Sequence, residues 1–213
     1  GAGRTTKKAL SDDPKVVQGE LANTIGTNGS LMRCAPMALY TGPTLDITNP
    51  NMGFGNPEQE DVQKMSSVTH AHPHSIEACV IYTSVLCALL YGEEKDFVVN
   101  FFGGGSVAGR TESRLDDDYD FPYDPGDWPM RGTAEFSLYV ALYALLKTTT
   151  FEEGIELAVR VGGDTDTYAA IAGGLLGAHY GYDAIPEDWR NTILGHDVMV
   201  GYAEKLYDMR LHN

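Results

Sequence analysis

An all-α fold is predicted by two features of the sequence. Apolar residues recur at helical spacing over long segments, and alternating apolar and polar runs joined by tight Asn-Gly hairpins are absent. With 213 residues the chain has the length for one domain with a buried core. The expectation is a single compact multi-helix bundle over residues 1–213.

The elements follow in order. A helix from Ser30 to Leu39 starts behind "TNGS", with Ser30 available as its N-cap. Pro57 to Val68 is the next, followed by Ser75 to Tyr91. In that third segment "SIEACVIYTSVLCALL" is apolar on more than one stripe, as a helix in the middle of a bundle requires. A short helix is expected at Phe97 to Phe102, and "AEFSLYVALYALL" makes Thr133 to Leu146 a second buried helix. Phe151 to Arg160 is amphipathic, and Gly162 and Gly163 set its exit, since glycine takes the left-handed conformation that ends helices. Thr165 to Tyr180 follows, then Glu187 to Leu194 and Asp197 to Met209.

Within "YAAIAGGLLGAHYG", Gly173, Gly174 and Gly177 each cost about 1 kcal/mol against alanine. Close approach of neighbouring helices to a surface of Ala169, Ala170, Ala172, Gly173 and Gly177 would offset that cost. Two loops stand out, Asp46 to Asn56 and the long Gly103 to Trp128, the latter of a length usually functional or disordered. No internal repeat or coiled-coil heptad is evident.

Acidic residues outnumber basic ones by 30 to 15, for a formal charge of -15, which repels phosphate backbones and anionic membrane surfaces. Nucleic acid and membrane are therefore not expected as partners. Cys34, Cys79 and Cys87 form no CxxC pair and leave one thiol over under any disulfide scheme, so a reducing compartment is expected, with Cys79 and Cys87 in the core. "GAGRTTKKAL" has no signal-peptide core, and no later apolar run is read as reaching bilayer length, so a soluble, cytoplasmic protein is expected.

The chemistry concentrates in "GGDTDT", Gly162 to Thr167. Residues two apart point to different sides of a regular helix, but at an irregular helix entrance Asp164 and Asp166 can converge. Together with the Thr167 hydroxyl they offer the hard oxygens that magnesium, calcium or manganese prefer. Helix capping by Asp164 or Thr165 is the competing reading. In "TNGSLMRCAPMAL" the backbone N–H groups of a helix start could receive a phosphate. "THAHPHS" carries His70, His72 and His74, but Pro73 breaks helical continuity and no cysteine lies nearby, so exposed loop histidines are expected rather than a zinc site. "DDDYDFPYDPGD" spaces Asp116, Asp118, Asp120 and Asp127 somewhat like a calcium loop, yet Phe121 stands where the bending glycine belongs and Asp127 replaces the bidentate glutamate.

Taken together, "GRTTKKAL", "TNGSLMRCAPMAL", "VTHAHP" and "VRVGGDTDTYAAIAGGLLGAHYG" resemble the ADP-ribosylglycohydrolase family, which includes the dinitrogenase reductase-activating glycohydrolases, over nearly the whole chain. The resemblance implies an all-α, magnesium-dependent hydrolase of the N- or O-glycosidic bond of ADP-ribosylated side chains or related ADP-ribose derivatives. It implies metal ligation by Asp164, Asp166 and Thr167, with two Mg2+ ions, or Mn2+, bracketing the ribose hydroxyls and a carboxylate positioning or deprotonating the attacking water. Asn28, Gly29, Ser30 and Met32 correspond to the ADP-ribose loop, and His70 to a histidine that approaches the ligand. Trp128 is a candidate for stacking on a base or ribose.

The family's Thr-Asp-Asp-Thr segment, which supplies the other half of the metal site, occurs nowhere in these residues. That departure suggests a proteolytic or engineered fragment, a chain completed by a separate N-terminal partner docked on an apolar groove, or a divergent protein without catalysis. A monomer is expected for the complete protein. The alternative function is a non-catalytic ADP-ribose-binding or structural protein on the same scaffold.

Overall fold

A computed structural model describes residues 3–11, 26–41, 59–95 and 132–211. Among them the chain forms α1 (Arg4–Ser11), α2 (Ala35–Thr41), α3 (Glu60–Ser67), α4 (Pro73–Leu90), α5 (Ala134–Lys147), α6 (Phe151–Arg160), α7 (Thr165–Tyr180), α8 (Glu187–Thr192) and α9 (His196–Leu211). Single 3-10 turns occupy Leu31–Arg33 and Tyr182–Ala184. No strand occurs among the described residues, where the only β contact is an isolated antiparallel bridge between Thr27 and Thr133. The fold is all-α, as the sequence pattern predicts. The expected helix Phe97 to Phe102 and the loops Asp46 to Asn56 and Gly103 to Trp128 lie outside the described residues, as do the aspartates of the acidic run.

The bundle is organised around α7, which packs against α4, α5 and α6. Tyr168, Ile171, Ala172, Leu175 and Leu176 are buried on it. At about 1.5–3 kcal/mol for each large side chain removed from water, that burial outweighs the helix-propensity cost of three glycines. α4 buries side chains all round, which fits its position between α2, α3, α5 and α7. By length and composition α4, at 18 residues, is apolar enough to cross a bilayer, which corrects the expectation that no segment reaches that length. Its side chains are mostly buried among its neighbours, as in the core helix of a bundle. Cys34, Cys79 and Cys87 are free and buried, and burial together with the adjacent Cys79 pushes the Cys34 thiol well above its ordinary pKa.

Three departures from expectation have local causes. The segment Ser30 to Leu39 is not one helix: a 3-10 turn over Leu31–Arg33 ends at Cys34, and α2 begins at Ala35. Pro36 has no N–H for a helical bond to residue 32, so it sits in the first turn of a new helix, where that loss is harmless. Pro73, read as a helix break, is the first residue of α4, where its fixed φ suits the start. Arg4–Ser11, seen in the sequence only as part of a motif, is a helix whose Ala9 packs against Ala71.

The small-residue surface of α7 is used more selectively than expected. At Gly174 an added Cβ would run into the buried Tyr82 hydroxyl, which donates to the Ile171 carbonyl at 3.1 Å. At Gly173 and Gly177 it would meet only ordinary contacts, Ile155 Cδ1 at 3.4 Å and Phe151 Cε2 at 3.9 Å. A close approach that sequence reading missed lies on α6, where a Cβ on Gly154 would fall 2.6 Å from Leu176 Cδ2. Gly174→Ala should therefore cost about 1–3 kcal/mol in urea unfolding. The penalty should shrink in a Tyr82→Phe background, while Gly173→Ala should be neutral or stabilising by up to about 1 kcal/mol. An equal Gly174→Ala penalty in both backgrounds would show that the hydroxyl is not the obstruction.

Candidate active site

The loop around Asn28 is held from several sides. Its backbone pairs with the start of α5: Asn28 N–H donates to the Gly132 carbonyl at 3.1 Å and Ala134 N–H to the Gly26 carbonyl at 2.8 Å. Thr133, in the bridge with Thr27, also caps α5 by accepting from Phe136 N–H at 3.2 Å. From α4, the Ser75 hydroxyl donates to the Thr27 carbonyl at 2.9 Å. Ser30 makes no side-chain cap; its buried hydroxyl is hydrogen-bonded to Ser66 Oγ on α3 at 2.9 Å and accepts from Cys79 Sγ on α4 at 3.4 Å. That replaces the N-cap role its position suggested, because the turn it precedes is too short to need one.

The second half of the site is the corner between α6 and α7. Gly162 and Gly163 have φ of 73° and 79°, so two successive left-handed residues end α6 and turn the chain into Asp164. Asp164 is half-buried, Asp166 exposed and Thr167 buried. The Asp164 carboxylate makes no cap bond to its helix. Its Oδ2 accepts from Asn28 Nδ2 at 2.7 Å, and its Oδ1 accepts from the Thr167 hydroxyl at 2.9 Å. The Asp166 carboxylate accepts from Thr167 N–H at 2.9 Å. Asn28 Nδ2 is shared with Ser137 Oγ at 3.0 Å, and Ser137 in turn donates to the Thr133 carbonyl at 2.8 Å. Loop and corner thus form one polar network, and bare capping does not account for Asp164.

The histidine segment differs from its expected character. His70 is buried, and His72 and His74 are half-buried rather than exposed. His72 caps α4, its Nδ1 accepting from His74 N–H at 3.2 Å, and His74 Nδ1 lies 3.7 Å from Glu135 Oε2. His70 is the one of the three beside the Asn28 loop: an added Cβ on Gly29 would fall 2.7 Å from its Cε1 and Nε2 and 3.6 Å from Thr6 Oγ1 of α1. Only glycine at residue 29 lets the ring lie there. Burial, and then the Arg33 charge, lower the His70 pKa from 6.5 to about 4.

The structure therefore gathers Asn28, Asp164, Asp166 and Thr167 directly, and Gly29 and His70 beside them through the loop. Met32 is exposed next to the loop, and its N–H donates to the Asn28 carbonyl at 3.2 Å. Trp128 lies outside the described residues. Among the described residues no group of three His, Cys, Asp or Glu side chains converges as a metal cluster, so the corner offers two carboxylates and one hydroxyl. Thr133, Ser137, Ser75, Ser66, Thr69 and Arg33 also build the site. Thr133 and Ser137, four residues apart on one helix face behind a helix start, were the only pair with a legible local pattern.

An all-helical scaffold that sets an acidic, hydroxyl-bearing corner against a buried polar loop is the class that fold and site define. The family described as ADP-ribosylglycohydrolase matches residues 1–213, and the chain belongs to that family. It is 30% identical over 170 residues, 78% of this chain and 50% of the relative, to the ADP-ribosyl-(dinitrogen reductase) glycohydrolase of Rhodospirillum rubrum. It is 25% identical over 224 residues, 97% of this chain and 54% of the relative, to the ADP-ribosylarginine hydrolase Tri1 of Serratia proteamaculans. A solved ADP-ribosylglycohydrolase-related protein complex superposes with a TM-score of 0.72 at 30% identity, covering 97% of this chain and 69% of that one. The chain spans about half the length of these two curated relatives.

Asn28→Ala should lower stability by about 1–3 kcal/mol, because a half-buried carboxylate and Ser137 both lose their donor. Chemical denaturation checks this; a change within about 0.5 kcal/mol would show that the network contributes nothing. A second prediction concerns pH. Because the folded His70 pKa is depressed, the unfolded chain binds the extra proton first, so this contribution to stability is present above pH 6.5 and is lost as pH falls towards about 4. His70→Gln should flatten the stability profile in that window; an unchanged profile would contradict the assignment.

Proposed function

We propose that this chain carries the site of an ADP-ribosyl hydrolase that cleaves the N- or O-glycosidic bond between ADP-ribose and a protein side chain. The observation that carries this reading is the treatment of Asp164: its carboxylate is oriented by Asn28 and Thr167 side chains across the loop and corner instead of capping α7. Family membership and the relatives' names support the reaction class.

Asp164, Asp166 and Thr167 fit a hard divalent cation by the chemistry of their donors, since each carboxylate oxygen keeps a lone pair beside its hydrogen bond and so does the threonine hydroxyl. They supply at most three of the roughly six oxygens magnesium takes, the remainder coming from water, substrate or other residues. Electrostatics favours the same assignment. A pyrophosphate approaching two carboxylates on a chain of net charge -15 needs a cation between them. Mg2+ held there would polarise a substrate oxygen and acidify the attacking water. The chain's own part is positional: Asn28 fixes Asp164, Gly29 leaves room for the His70 ring, and His70 stays neutral beside the loop.

A second reading, a non-catalytic ADP-ribose-binding protein, is favoured by the lack of a third carboxylate, histidine or cysteine beside Asp164 and Asp166 among the described residues. ADP-ribose release from arginine-linked and serine-linked peptides, in magnesium and in EDTA, separates the two. Release in magnesium, loss in EDTA and a decrease of about 100-fold in Asp166→Ala with the fold intact are expected of the hydrolase. Magnesium-independent ADP-ribose binding without release would establish the second reading.

A further inference from the structure

We propose that Arg33 and Thr69 are positioning residues that hold His70 in the tautomer with its proton on Nε2, so that the ring donates to an oxygen of the ligand lying against Gly29. The identity of that ligand rests on the ADP-ribose reading above; the tautomer does not.

The argument is one of donor counting. A guanidinium can only donate, and Arg33 Nη2 donates to Thr69 Oγ1 at 2.8 Å. The same hydroxyl lies 2.7 Å from His70 Nδ1. Thr69 has a single hydroxyl proton, and among the described residues His70 Nδ1 is its only acceptor. With the proton directed there, Nδ1 accepts, and the neutral ring must carry its own proton on Nε2. The opposite tautomer would make the hydroxyl accept from Arg33 and His70 together and leave its proton facing no acceptor.

The relay is anchored at both ends. Arg33 is pinned over the end of α3, its Nη2 also donating to the Met65 carbonyl at 2.9 Å and its Nη1 to Met65 Sδ at 3.0 Å. The His70 backbone is fixed by its N–H donating to the Ser66 carbonyl at 2.7 Å and its carbonyl accepting from Ser66 Oγ at 3.0 Å. The ring then places Nε2 over Gly29, where it has no hydrogen-bond partner among the described residues. The depressed basicity of His70 agrees, because the ring carries one proton, not two, across the neutral range.

Nitrogen-15 NMR of the whole chain labelled at histidine tests this without ligand, with His70→Gln assigning the signal. The expected spectrum has a pyridine-like Nδ1 and a pyrrole-like Nε2 for His70, retained in Thr69→Ser and shifted to a tautomer mixture in Thr69→Val and Arg33→Met. ADP-ribose binding should weaken by about three- to tenfold in Thr69→Val, the worth of one neutral hydrogen bond. A protonated Nδ1 in the wild type, or an unchanged tautomer in well-folded Thr69→Val, would overturn the proposal. An Nε2 proton that depends on Thr69 in a chain that binds no ADP-ribose would uphold the relay and overturn only the ligand reading.

Discussion

The hydrogen bond from Asn28 Nδ2 to Asp164 Oδ2 joins segments 136 residues apart, and both halves of the candidate site depend on it. Without it the Asn28 loop is tied only to α3, α4 and α5, and the corner is a glycine-ended helix followed by two acids. With it, a carboxylate that would otherwise turn towards water is aimed inward at a loop whose backbone is already fixed on α5. A bond to a charged acceptor is worth about twice a neutral one, so the pairing is strong enough to select one orientation of Asp164.

Packing decides where the two halves meet. α7 runs through the centre of the bundle, touching α4, α5 and α6, so its first residues are positioned by the core. Two close approaches set its depth, Tyr82 against Gly174 and Leu176 against Gly154. α5, whose N-terminal end carries Thr133 and Ser137, packs along the same helix and brings the bridge partner of Thr27 to the corner. The site is thus rigid where helices cross, while Met32 and Asp166 stay at the surface.

Much of this was legible in the sequence, and the limit is physical. The buried helices α4 and α5 announce themselves by apolar residues on more than one stripe, and the left-handed turn at Gly162 and Gly163 follows from residue type alone. Asp164, Asp166 and Thr167 stand out because carboxylates at that density repel unless something holds them. What could not be read was the partner of each. Nothing local to Asn28 indicates Ser137 or Asp164, and nothing local to Thr69 indicates that Arg33 would complete a path to His70. Proline was the other blind spot: Pro36 and Pro73 both lie in the first turn of a helix, where a missing N–H is harmless, so each marks a helix start.

The central claim is that loop and corner act as one unit towards ADP-ribose. A double-mutant cycle of Asn28→Ala and Asp164→Ala, read by calorimetric ADP-ribose affinity in magnesium, tests it most directly. The account predicts a coupling of about 0.5–3 kcal/mol, with the second substitution costing far less once the first is made. Additive losses would mean that Asn28 and Asp164 serve the ligand separately, and would contradict the account.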